Sequence, residues 1–86
     1  MPSYAHSLDR IWEREVLEAT VRGVLEAPQQ RYSTRAGKAV FQSLLPKEPA
    51  GRLYLLRVFV DTTLDPPEIV SVYWTSQIER YWRGSR

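Results

Sequence analysis

His6, Arg10, Glu13 and Arg14 are the first residues of the chain able to move a proton or hold an anion. On a helix, at about 100° per residue, His6, Arg10 and Glu13 fall within a stripe of roughly 60°, with Arg14 beside it. An imidazole ionises near neutrality, so beside two guanidiniums and a carboxylate it could act as an acid/base with anion clamps. The same four residues also read as a solvated face with i, i+4 pairs. Arg57 stands out differently. On a strand over Leu53–Val60, period-two alternation puts Leu53, Leu55, Arg57 and Phe59 on one face. A cation set into an apolar face needs a partner, so Arg57 reads as half of a structural ion pair or as a phosphate-binding group. Tyr73 shares a strand face with Thr75; its hydroxyl could orient a phosphate or pass a proton, or its ring fills the core. The pairs Tyr73-Trp74 and Tyr81-Trp82, the latter flanked by Arg80 and Arg83, read either as core or as stacking surface for RNA bases.

Composition removes many other chemistries. The chain has no cysteine and one histidine, which excludes disulfides, thiolate metal sites, a cysteine nucleophile and a histidine-built zinc centre. No glycine-rich phosphate loop, paired-carboxylate motif or serine nucleophile signature is present, and no metal or cofactor is expected. At 86 residues the chain has room for one domain, residues 1–86, and for no separate cofactor domain. Net charge is only +2, yet residues 22–57 hold seven basic and two acidic side chains. A local excess of +5 suits a phosphate-binding face, and equally a set of solvated loops and edge strands. No run approaches the roughly 20 apolar residues of a membrane span, and the Met1-Pro2-Ser3-Tyr4 start carries no apolar leader. A soluble, cytoplasmic protein is expected.

The elements that would position these residues follow from periodicity. Leu8, Ile11 and Trp12 recur at i, i+3, i+4, and Val21, Val24 and Leu25 repeat that spacing, predicting one N-terminal helix or a pair. Ser7 and Asp9 suit a cap, and Pro28 ends the second stretch. Three strands are predicted over Lys38–Leu45, Leu53–Val60 and Ile69–Thr75, with Tyr32 able to start a short fourth. Pro46–Gly51 and Asp65-Pro66-Pro67 read as loops. Ile78, Tyr81 and Trp82 predict a short C-terminal helix whose apolar stripe docks on the sheet. The connections are too short for helical crossovers, so the expected fold is α+β with a three- to four-stranded antiparallel sheet.

Both ends of the chain resemble a bacterial family of domains of unknown function, the one numbered 4258. That family opens with His-Ala or His-Ser and an Arg four residues after the His. An Arg-Gly-Ile, a Val and a helix-closing Pro follow. Here the run is His6-Ser7, Arg10, Arg14-Glu15-Val16, Val21 and Pro28. Its last strand, Val-Tyr, one variable residue and Thr-Ser, is matched by Val72-Tyr73-Trp74-Thr75-Ser76. Glu15 stands where the family has glycine, and Gln77 where a basic residue often follows Thr-Ser. The family is similar to the BrnT and RelE-like toxins, small α+β ribonucleases of toxin–antitoxin operons. The resemblance implies a RelE-like fold and an antitoxin protein as partner.

Two functions are therefore expected. In the first, the chain is a RelE/BrnT-like toxin that binds and cleaves RNA without metal. His6 is then the acid/base, Arg10, Arg14 and Arg57 stabilise the charged phosphorane, and Tyr73 orients it. In the second it is a non-catalytic interaction domain, forming a homodimer or binding a protein partner. The tail helix or an exposed strand edge would then serve as the surface.

Overall fold

A computed structural model of the chain describes residues 18–34, 37–47 and 50–84, together with the backbone of residues 5–12. The elements are β1 (Ala5–Trp12), α1 (Glu18–Glu26), β2 (Gln30–Ser33), β3 (Lys38–Lys47), β4 (Arg52–Asp61), β5 (Glu68–Thr75) and α2 (Ile78–Tyr81). They form one five-stranded sheet in the order β1-β5-β4-β3-β2. The four strands β2 to β5 are antiparallel neighbours, and β1 joins the far edge parallel to β5. The fold is α+β, as the short strand connections require.

The central hairpin pairs β3 with β4 without a break, from Lys38 opposite Asp61 to Lys47 opposite Arg52. β3 therefore runs through Pro46, and the loop expected at Pro46–Gly51 is shorter than the proline suggested. Gly51 closes the turn at φ +69° and donates its N–H to the Lys47 carbonyl at 3.0 Å.

The helix α1 sits where Val21, Val24 and Leu25 predict it, ending before Pro28. Val21 and Val24 pack against Ala39 and Phe41 of β3, Leu56, Val58 and Val60 of β4, and Ile69 and Val72 of β5. Ile69 and Val72 are three apart, which simple alternation would send to opposite faces. A bulge resolves this: Ile69 lies opposite Val60 while Ser71 lies opposite Phe59, leaving one extra residue on β5. All the residues of the opposite sheet face then keep step.

The predicted helix over Leu8, Ile11 and Trp12 is not formed. Residues 5–12 are extended, with His6 opposite Ile69 and Trp12 opposite Val72. The reason is a competition that periodicity does not see. Three apolar positions give only about one turn of stripe, and a helix so short is marginal in water. The free edge of β5 presents unpaired N–H and C=O groups that an extended neighbour satisfies. Residues 13–17 lie outside the described residues, so only α1 remains of the expected helix pair. Among the described residues no helix is long and apolar enough to cross a membrane.

Candidate functional site

The sheet face away from α1 is not apolar throughout. One cross-strand row runs Gln30 of β2, Gln42 of β3, Arg57 of β4 and Tyr73 of β5, each directly opposite the next. Antiparallel register brings such side chains within reach of one another, so the row forms because of strand pairing, not sequence proximity. Gln42 is fully buried and Arg57 is 5% exposed, with Leu55 and Val40 buried on the same face.

Arg57 organises this row. Its Nε donates to Gln42 Oε1 at 3.0 Å, Nη1 to the Tyr73 hydroxyl at 2.7 Å, and Nη2 to the Tyr32 hydroxyl at 2.5 Å. Aromatic rings enclose the guanidinium. Its carbon lies 4.2 Å from the ring centre of Tyr81 and 4.9 Å from that of Phe59, which itself stacks on Tyr73 at 5.9 Å. All three hydrogen-bond acceptors are neutral. Among the described residues no carboxylate pairs with Arg57, since the ion pairs Arg22–Glu18 and Lys38–Asp61 lie elsewhere. A buried cation without a counter-charge is costly, and ring faces offset only part of that cost. Three of the five guanidinium N–H groups find acceptors among the described residues. The tyrosine hydroxyls accept from Arg57 and keep their own protons to donate. The result is a convergent set of donors around a positive charge, which is what an oxyanion requires.

The C-terminal segment lies across this site. Gln42 Nε2 donates to the Gln30 side chain at 2.8 Å and to the Tyr81 carbonyl at 3.1 Å. Gln30 grips the backbone of Arg83 from both sides, donating to its carbonyl at 2.6 Å and accepting from its N–H at 3.0 Å. The Arg83 guanidinium stacks on Tyr32 at 3.9 Å.

The predicted site residues divide sharply. Arg57 and Tyr73 come together through a direct hydrogen bond, on the face that alternation assigns them. His6 and Arg10 lie on β1, next to β5 at the sheet edge, with His6 in register with Ile69. The helical stripe that grouped them with Glu13 is not formed over 5–12, because the backbone there is extended. The side chains of β1, and Arg14 altogether, lie outside the described residues. Of the two readings of Arg57, ion pair or phosphate-binding group, no ion pair is seen among the described residues, where its acceptors are neutral.

Tyr32, Gln30 and Gln42 are the site residues that the sequence does not single out, while Tyr81 and Arg83 read there only as core or stacking surface. Gln42 offers a signal, since it interrupts the apolar stretch Val40–Leu45 as Arg57 interrupts Leu53–Val60. The meeting of the other four with Arg57 depends on strand order and on where the chain returns after β5. Among the described residues no three His, Asp or Glu side chains cluster as metal ligands do. No family model matches the chain, and neither does any curated protein or solved structure.

Proposed function

We propose that the chain is a RelE/BrnT-like toxin, a metal-independent endoribonuclease that binds RNA across the sheet face away from α1. The carrying observation is Arg57, a buried guanidinium whose partners among the described residues are neutral. The antiparallel sheet with a helix packed on one side supports the reading, as does the resemblance of both chain ends to a family similar to those toxins. A cytoplasmic location and a small antitoxin partner, docking by strand addition at a sheet edge, belong to the same proposal.

In this reading the RNA 2′-oxygen attacks the adjacent phosphorus and the 5′-oxygen leaves. The products are a 2′,3′-cyclic phosphate and a 5′-hydroxyl. A base takes the 2′-hydroxyl proton and an acid returns one to the leaving oxygen. Arg57 stabilises the phosphorane, where charge accumulates, from a preorganised position out of water. Tyr73, held by Arg57, orients the phosphate through its free O–H. His6 remains the proposed acid/base, with Arg10 and Arg14 as further cationic support.

Induced expression tests this directly. Wild type should arrest growth and degrade RNA, Arg57→Ala should do neither, and His6→Ala should reduce both. Arrest by Arg57→Ala equal to wild type would remove Arg57 from the mechanism. Intact RNA and normal growth with wild type would favour the non-catalytic interaction domain.

A further inference from the structure

We propose that the segment Gln77–Gly84 is a closing strap over the Arg57 site, which must lift before a phosphate can reach the guanidinium. This rests on the reading of Arg57 as an oxyanion site. Tyr81 covers the guanidinium, with its ring centre 4.2 Å from the guanidinium carbon. A ring quadrupole is a weak substitute for a phosphate's full charge.

The strap is fastened by polar contacts and by the half-buried side chains of Ile78, Tyr81 and Trp82. α2 is four residues long and buries none of them. The fastenings are Gln42 to the Tyr81 carbonyl, the two-sided grip of Gln30 on Arg83, and the stacking of Arg83 on Tyr32. The hydrogen bonds among these can be exchanged for water when the strap lifts. A separate observation favours opening. The Trp82 indole N–H is buried in the closed arrangement without an acceptor among the described residues. Lifting the strap hydrates that donor and uncovers Arg57 together. The strap thus sets the fraction of molecules competent to bind, and apparent affinity scales with that fraction.

The test uses the full chain, a short 2′-O-methyl RNA that cannot supply the attacking hydroxyl, and inorganic phosphate as a second probe. Backbone hydrogen exchange of residues 77–84 reports strap opening. Gln30→Ala removes the grip on Arg83 and should speed exchange there. It should also tighten binding of both probes by roughly threefold or more, by raising the competent fraction. A chain ending at Ser76 should go further in the same direction, and Gln30→Ala keeps the test readable if that chain does not fold. Faster exchange with unchanged or weaker binding would overturn the strap while leaving the anion site intact, provided Arg57→Ala still abolishes binding. Unchanged exchange in Gln30→Ala would overturn the fastening itself. Binding that survives Arg57→Ala would instead overturn the site on which the strap depends.

Discussion

At the scale of single residues, geometry rather than charge alone distinguishes Arg57. A guanidinium fork reaches three acceptors on three strands at once, Gln42, Tyr73 and Tyr32, which a lysine ammonium on a flexible stem cannot do without losing at least one. Among the described residues Arg57 is a buried positive charge without a carboxylate partner, an arrangement that is costly unless something compensates it. Asp61 shows the opposite, locally satisfied arrangement. The Thr63 hydroxyl and N–H, donating to Oδ1 at 2.6 and 3.0 Å, hold its carboxyl below the usual range, with Lys38 adding to the effect at 3.2 Å. Because the folded value lies below the unfolded one, near 3.8, the stabilisation is complete above that value. It is lost as pH falls through the lower folded value. The urea midpoint of Asp61→Asn should therefore lie below wild type at about pH 6 and converge with it towards about pH 2. A gap that is constant with pH would show that Asp61 acts through packing alone.

At the scale of elements, turns fix the register on which the site row depends. Gly37 and Gly51 flank β3 and both adopt positive φ, +73° and +69°. A side chain in that region costs about 1–2 kcal/mol at either position. They differ in surroundings. A Cβ on Gly51 meets open space, whereas one on Gly37 would lie 2.2 Å from the Thr63 methyl. That methyl is not free to turn away, since the Thr63 hydroxyl is bonded to Asp61. Gly37→Ala should therefore lower Tm by several degrees more than Gly51→Ala; equal shifts would mean that the Thr63 turn relaxes freely. The elements also mark where the sequence is readable. β3, β4, β5 and α1 follow from runs and spacings that packing reinforces, such as Val21, Val24 and Leu25 against a Val-rich sheet. Residues 5–12 do not, because a weak helical stripe and a strand edge compete for them and only the presence of β5 decides. Arg57 and Tyr73 were legible as candidates because each stands on a predictable strand face. Gln30 and Tyr32 were not, and Tyr81 and Arg83 were legible only as core or stacking surface, since their meeting with Arg57 depends on sheet order and chain return rather than on any local pattern.

At the scale of the whole molecule, the sheet divides labour between its faces. One carries the apolar core against α1, and stability resides there. The other carries the polar row, two tyrosine hydroxyls and a basic rim that includes Arg83, with the C-terminal segment laid over it. Of the seven basic residues of 22–57, Arg57 is the one at this site, while Arg22 and Lys38 pair with Glu18 and Asp61. A face built to receive an oxyanion without a metal makes a simple demand. Purified wild type, incubated with RNA in the presence of a chelator, should cleave it to fragments ending in 2′,3′-cyclic phosphate. Arg57→Ala should be slower by about 100-fold or more, the loss typical of removing a preorganised donor at developing charge, and Arg57→Lys should recover only part of it. RNA left intact by the wild type, or cut equally fast by Arg57→Ala, would contradict the account.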